Sequence, residues 1–165
     1  MMKAHFSRFA AYNAWANTRL YDAAGQLDPA ARTRDIGAYF TSLHGTLNHI
    51  LVADQVWMRR LTGEGPDPRE LDEITQPGFR ALRRAREAED ARISAYVDGL
   101  AEDAFAESVD YANLAGQPQN MERGLILAHF FNHQTHHRGQ AHDGLKRLGL
   151  EPPALDLLYF MRPKA

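Results

Sequence analysis

The sequence contains no cysteine among its 165 residues. Disulfide bonds are therefore excluded, and any bound metal ion must be held by nitrogen and oxygen ligands. The absence of cysteine is compatible with a cytoplasmic protein, which is the location we expect. No apolar run approaches the ~20 residues of a membrane-spanning helix, so we expect no membrane contact. Arg8 and other polar residues near the N-terminus lie where a signal peptide would be continuously apolar, which favours mature structure.

An excess of charge of one sign is also missing. The chain has 19 lysines and arginines against 21 aspartates and glutamates, a formal net charge of −2. Proteins that bind nucleic acid favour a basic face, so the composition predicts no nucleic-acid partner. A local basic run at residues 80–86, ending at Arg86, is followed at once by acidic residues. We interpret this run as a solvated helix face.

The remaining composition is typical of a globular protein. Apolar residues make up 44% of the chain and charged residues 24%, which argues against disorder. A chain of this length can form one domain with a substantial core but is short for two. We therefore expect a single domain over residues 1–165.

Apolar residues recur at three- and four-residue steps in four long segments, which predicts four amphipathic helices. The predicted helices span about residues 3–24, 38–61, 78–100 and 121–148. Four such helices in one domain favour an all-α fold, a four-helix bundle. Residues 104–120 break the helical pattern and predict a short β-hairpin or extended excursion. A last apolar segment at residues 155–161 can add a final turn or two of helix.

The fourth segment is rich in histidine. The stretch AHFFNHQTHHRGQAHDG, at residues 128–144, holds five of the eight histidines: His129, His133, His136, His137 and His142. On a helix, His133 and His137 lie about 40° apart on adjacent turns, a separation that lets two imidazoles share one ion. The same pair spacing forms the core of HExxH sites, although the glutamate is absent here. Spacing alone leaves His129 with His133, or His133 with His136, as alternatives.

A third ligand must come from elsewhere, because two histidines make a weak site. The candidates are His5, His44 and His49. His44 and His49 lie about 140° apart around their helix and cannot easily serve one ion together. His49 has small neighbours on its own face, Gly45 and Ala53, which leave room for an inward imidazole. His49 is therefore the better candidate, although spacing does not decide the choice.

Three segments of the chain resemble the DinB family, also called the DinB/YfiT-like metalloenzyme superfamily. They are YNAWANTRLYDA, SLHGTLNHILVADQVWMRR and HFFNHQTHHRGQ. This family of small bacterial helical bundles shares only its name with the DNA polymerase called DinB. The resemblance covers essentially the whole chain. It implies a bundle with up-down-down-up connectivity, a homodimer, and a zinc or nickel ion held by three histidines. The matching positions here are His49, His133 and His137.

The resemblance also implies a class of chemistry. Some distant members transfer or isomerise low-molecular-weight thiols. We therefore expect a metal-dependent enzyme, in the first instance a transferase that acts with such a thiol. Three imidazoles leave an open position on a divalent ion, which can lower the pKa of a bound thiol or water. A metal-dependent hydrolase fits equally well. A non-catalytic, damage-inducible or stress-associated metal-binding protein is the third alternative, and a bundle with purely structural histidines is the last.

The residues that would support this chemistry are less well defined by the sequence. No general base lies within the motifs, so the catalytic residues stay open. Candidates to orient an imidazole are Asn48, Asp54, Gln134 and Gln140. Candidates for the wall of a pocket are Trp15, Trp57 and Phe130, although aromatic residues at helical spacing also form ordinary core. Asn13 and Asn17 either face a polar cavity or lie exposed on the surface.

Overall fold

The computed structural model describes residues 1–162 and is predominantly helical. Its helices are α1 (Met2–Ala24), α2 (Pro29–Thr33), α3 (Leu43–Thr62), α4 (Phe79–Gly99), α5 (Arg123–Arg147) and α6 (Leu157–Met161). The four long helices α1, α3, α4 and α5 form the predicted four-helix bundle, and α6 lies in the segment predicted to add helix at the end. Within residues 1–162, no helix combines the length and the apolar character required to cross a bilayer.

The helices are connected in the expected up-down-down-up order. Helix α1 packs on α4 and α5, and α3 packs on the same two helices, so α1 and α3 lie on a diagonal. Helices α1 and α4 are antiparallel, because Ser7 contacts Asp98 and Asp22 contacts Arg83. Helices α3 and α4 are parallel, and a long crossover loop, residues 63–78, joins them.

Helix α3 begins later than the sequence pattern predicts. Its first residue is Leu43, whereas the predicted start was residue 38. Ser42 is the N-cap, and its side chain accepts a hydrogen bond from the Gly45 amide. Thr41 has a φ of 66°, a left-handed conformation that cannot continue a helix. The predicted start is therefore wrong, and Phe40, which falls within the predicted span, lies in the preceding loop.

The predicted β-hairpin precedes the last long helix. Strands β1 (Ser108–Ala112) and β2 (Pro118–Glu122) are antiparallel. Helix α5 begins at Arg123, two residues later than predicted, because Met121 pairs with Val109 in the hairpin. The hairpin lies beside the C-terminal half of α3.

The interior contains charged residues as well as two apolar clusters. Arg86 pairs with Asp54 at 2.7 Å and with Asp90 at 3.0 Å. The side-chain amides of Asn13 and Asn17 also donate to Asp90, at 3.1 and 2.9 Å. We call these five residues the buried ionic cluster. The two asparagines are buried, so the exposed alternative for them is wrong.

The basic run at residues 80–86 is not wholly solvated. Arg86 is only 1% exposed, which contradicts its interpretation as part of a surface face. Burial alone would lower the pKa of Arg86, but the carboxylates of Asp90 and Asp54 raise it above its ordinary value. Burial raises the pKa of Asp54, and the Arg86 charge opposes that shift. The local charge pattern shows Asp90, which follows Arg86 on the same helix, but does not reveal Asp54 on α3.

Candidate metal centre

Three histidines from two antiparallel helices converge at one side of the bundle. His49 comes from α3, and His133 and His137 come from adjacent turns of α5. One ring nitrogen from each lies within 4.8 Å of the others. The Nε2 atoms of His49 and His137 are 3.1 Å apart. This group, the histidine cluster, is the set of residues that the resemblance implies, and it could hold a metal ion.

Hydrogen bonds on the far side of two rings define their tautomers. Nδ1 of His49 lies 2.7 Å from the carbonyl oxygen of Leu71, which can only accept, so Nδ1 carries the proton. Nδ1 of His137 lies 2.8 Å from Oε1 of Gln140, while Nε2 of Gln140 lies 3.2 Å from His136. With the Oε1 atom of Gln140 facing His137, both Nε2 atoms of the neutral rings are bare. Two nitrogen lone pairs face each other at hydrogen-bond distance without a proton between them.

The electrostatics of the cluster disfavour protonation. Burial lowers the pKa of His133 to about 3, and repulsion by His137 and His49 adds to the effect. Burial also lowers the pKa of His137, to about 4, although the hydrogen bond to Gln140 raises it. The pKa of His49 is lowered by burial as well. At neutral pH the three rings are thus neutral nitrogen donors, the form that binds divalent metal ions.

An aromatic ring closes one side of the cluster. The Phe40 ring stacks on His49 with centroids 3.9 Å apart and planes 16° apart. The backbone at Phe40 passes so close to α3 that a Cβ on Gly45 would collide with the Phe40 carbonyl oxygen. Gly45 was predicted to make room for the His49 imidazole. Its missing side chain instead makes room for the loop that places Phe40 over that imidazole.

The histidine cluster opens into a cleft of about 560 Å³. Its lining includes two exposed titratable residues, Asp72 and His136, together with the exposed ring of Tyr39. Asp72 belongs to the crossover loop, where no motif marks it. Neither Asp72 nor the Leu71 carbonyl was found by reasoning from the sequence, because a loop carboxylate and a backbone oxygen have no characteristic spacing.

His44 and Asn48 hold the crossover loop rather than the cluster. Nε2 of His44 lies 2.9 Å from the carbonyl oxygen of Gln76. Asn48 accepts from the Gln76 amide at 3.0 Å and donates to the same carbonyl at 3.2 Å. The proposed role of Asn48 in orienting an imidazole is therefore wrong. Its contacts fix the loop that also supplies Leu71 to His49.

The other proposed orienting residues divide between the cluster and the core. Gln140 does orient an imidazole, through its contact with His137. Asp54 belongs to the buried ionic cluster, and Gln134 accepts a hydrogen bond from Arg138 at 3.3 Å. Arg138 is buried and lies over the Tyr12 ring. Asp54 and Gln134 therefore stabilise the interior and do not orient a ligand.

The remaining histidines and the proposed wall aromatics lie outside the cluster. His5 packs against Phe6 and Phe9, and His142 lines a separate groove between α1 and α5. His129 lies beyond His133, with its ring 5.2 Å from Trp57. Of the aromatic residues proposed to wall the pocket, Phe130 is in the core and Trp15 packs on Phe160. The aromatic residue that covers the histidine cluster is Phe40.

The fold and the cluster define a four-helix-bundle protein with a three-histidine group able to hold a metal ion. The chain belongs to the DinB family, whose sequence model matches residues 1–165. It is 27% identical to protein DinB of Bacillus subtilis (strain 168) over 93% of this chain and 92% of that protein. A conserved protein from Enterococcus faecalis has a similar crystal structure, with a TM-score of 0.69 and 14% identity. That similarity covers 85% of this chain and 94% of the other, and it concerns the fold.

Proposed function

We propose that His49, His133 and His137 bind one divalent metal ion, zinc or nickel. The observation that carries this proposal is the pair of bare Nε2 atoms 3.1 Å apart, which a cation would bring into favourable interaction. Three neutral nitrogen donors leave at least one coordination position for another molecule, as in catalytic rather than structural sites. The adjoining cleft supplies the space for that molecule.

The function that we propose is that of a metal-dependent transferase acting with a low-molecular-weight thiol. When bound, the ion supplies positive charge that favours the nucleophilic thiolate form. The Leu71 carbonyl and Gln140 hold the His49 and His137 rings in place, and Phe40 shields one face of His49 from water. The chain has no cysteine that could compete with the substrate thiol. The homodimer and the cytoplasmic location expected from the sequence stay predictions.

A metal-dependent hydrolase is the second candidate, and Asp72 favours it. This exposed carboxylate lines the cleft beside the histidine cluster, where it can accept a proton from water. His136 lines the same cleft and provides a second acceptor. A replacement of Asp72 by Asn would therefore reduce hydrolysis more than it would reduce thiol transfer.

Metal analysis of untagged protein tests the binding step. We expect about one zinc or nickel ion per chain, and at least a severalfold loss in His49→Ala, His133→Ala and His137→Ala. His129→Ala and His136→Ala are matched controls on α5 and should keep the metal. Full occupancy in His137→Ala together with loss in His136→Ala would show that His136, rather than His137, binds the metal.

A reaction screen tests the catalytic step. Metal-loaded protein is incubated with a panel of low-molecular-weight thiols and a generic electrophile, and thiol consumption is followed. Metal-dependent consumption above the His133→Ala background supports the transferase. A flat result across the panel, with hydrolysis of an activated ester instead, favours the hydrolase. Inactivity in both assays of fully metal-loaded protein favours a non-catalytic metal-binding role.

A further inference from the structure

A second cleft of about 560 Å³ lies between the C-terminal half of α3 and the β-hairpin. Its lining includes Arg60 of α3 and Tyr111 of β1, and Val56 contributes its apolar side chain. The rings of Trp57 and Tyr111 meet edge to face, with centroids 5.4 Å apart. The two rings form an aromatic corner at the side of the cleft.

The guanidinium of Arg60 lies in this aromatic corner. Its Cζ atom is 4.5 Å from the centre of the Trp57 ring and 5.1 Å from that of the Tyr111 ring. Contacts of this kind hold a guanidinium by its face and leave its N–H groups for a planar anion. Within residues 1–162, Arg60 makes no ion pair and donates no side-chain hydrogen bond. Its donors are therefore oriented but have no acceptor in this part of the chain.

Three of the four other charged groups that line the cleft have partners within residues 1–162; the exception is the exposed guanidinium of Arg69. Arg59 pairs with Asp67 at 3.2 Å and donates to the Gly65 carbonyl. Asp110 accepts from Asn120 at 2.6 Å. Burial lowers the pKa of Arg60, so its charge is partly desolvated without a compensating carboxylate. An anionic ligand would provide that compensation.

Arg60 lies on the same face of α3 as His49. Residues 49, 53, 56 and 60 follow helical steps of four, three and four. Eleven residues separate the two Cα atoms by about 16 Å, and the arginine side chain leans back along the helix toward the histidine. The small side chains of Ala53 and Val56 lie between them. A chain of neighbouring rings also leads from Arg60 to the histidine cluster. The Trp57 ring contacts the His129 ring, which is 5.8 Å from the His133 ring.

We propose that Arg60, held by Trp57 and Tyr111, is a specificity-determining residue that binds the carboxylate of the substrate thiol. The thiol at the opposite end of the same molecule would reach the histidine cluster, so this inference rests on the proposed function. The substrate class is thus an elongated small thiol with a terminal carboxylate. Charge-assisted, bidentate hydrogen bonds from a guanidinium to a carboxylate supply both affinity and orientation.

The test measures binding to zinc-loaded protein by calorimetry. The probes are ω-mercaptoalkanoic acids, from 3-mercaptopropionate to 11-mercaptoundecanoate, each compared with its uncharged amide. We expect the long acids to bind about tenfold more tightly than their amides. We expect no such advantage for the shortest acid, which cannot reach Arg60. The amides measure the metal–thiol contact alone and should bind the variants described next equally.

Arg60→Gln should remove the advantage of the long acids, and Arg60→Lys should keep part of it, because it retains the charge without the planar fork. Arg19→Gln is the matched control, since Arg19 also lies over a tryptophan ring, that of Trp15, on an exposed surface. It should leave the advantage unchanged. An equal advantage in wild-type and Arg60→Gln protein overturns the inference.

A second measurement separates this inference from the proposed function. If no amide binds the zinc-loaded protein, the thiol function fails, and Arg60 is then tested with glutarate on metal-free protein. In a Trp15→Phe background the fluorescence reports Trp57, the other tryptophan of the chain. Saturable quenching that Arg60→Gln abolishes retains the carboxylate site, and quenching that is absent or unchanged in the variant overturns it.

Discussion

The bundle contains two clusters of polar residues, the histidine cluster and the buried ionic cluster. They differ in whether their polar atoms are paired with other groups of the protein. In the buried ionic cluster, Arg86 is paired with two carboxylates, and the amides of two asparagines donate to one of them. In the histidine cluster, bare nitrogen atoms face one another, and none of the three rings forms an ion pair with a carboxylate within residues 1–162. The first pairs its cation with carboxylates of the protein, whereas the second could accept a cation from outside. The comparison shows how a structural polar group differs from a binding site in one fold.

The largest effect should come from breaking the buried ionic cluster. Arg86→Ala leaves Asp54 and Asp90 buried without their cation, which we expect to lower the free energy of unfolding by about 3 to 5 kcal/mol. Urea denaturation of metal-free protein measures the change. Arg84→Ala, an exposed arginine on the same helix, is the control and should change stability little. Equal losses in the two variants would contradict the structural role of Arg86.

Adding metal should have a comparable effect that only the histidine cluster provides. At free zinc about a thousandfold above the dissociation constant, binding to the folded state adds about 4 kcal/mol to the free energy of unfolding. Urea denaturation with and without zinc measures this difference. His133→Ala should lose the stabilisation, and His136→Ala should keep it. Stabilisation of His133→Ala to the wild-type extent would place the metal elsewhere.

A smaller effect is expected where Gln140 supports His137. Gln140→Leu removes the acceptor of the Nδ1 proton, and we expect about a tenfold loss of zinc affinity. Competition with a chromophoric chelator measures the affinity. Gln140→Glu retains an acceptor at the same place and should restore most of the binding. Failure of that rescue would show that size rather than hydrogen bonding governs this position.

The smallest effect is the pH dependence of the metal-free protein. The pKa values of His133 and His137 are lowered, so between the ordinary value near 6.5 and about 3 the unfolded chain binds more protons than the folded one. Stability should therefore fall as pH falls through this window. Because the His133 ring is only half-buried and both rings line the open cleft, solvent screens the effect and we expect only about 1 kcal/mol. Chemical denaturation as a function of pH should show a shallower slope for His133→Asn; equal slopes would contradict the shift.

The helical part of the fold was predictable because its signal is local. Apolar periodicity gave the four long helices and the break at the hairpin, and the density of histidine in α5 indicated the site. The start of α3 was predicted wrongly, since Phe40 continues the apolar pattern while the Ser42 cap and the left-handed Thr41 end it. The helix start depends on the close approach of the Phe40 backbone to Gly45, a local loop geometry that apolar periodicity does not report.

The environment of the site was less predictable than its ligands. Among the polar residues proposed to orient an imidazole, only Gln140 does so, because it lies one helical turn from His137. The acceptor for His49 is a backbone oxygen, which every residue possesses and which no sequence pattern marks. Arg86 was misread for a related reason. Its partner Asp54 is distant in sequence, and their pairing depends on how two helices pack.

The crossover loop, residues 63–78, contributes to the surroundings of the histidine cluster. The hydrogen bonds between Asn48 and Gln76 hold one end of this segment. The Leu71 carbonyl within the segment fixes the proton position on His49. A connection of the kind that ordinarily tolerates insertions and deletions here contacts a candidate metal ligand. Among relatives with the same three histidines, changes in the length of this loop should therefore alter metal preference before any ligand is replaced. In that case the length of a connection, rather than the sequence of a helix, would set the selectivity of the site.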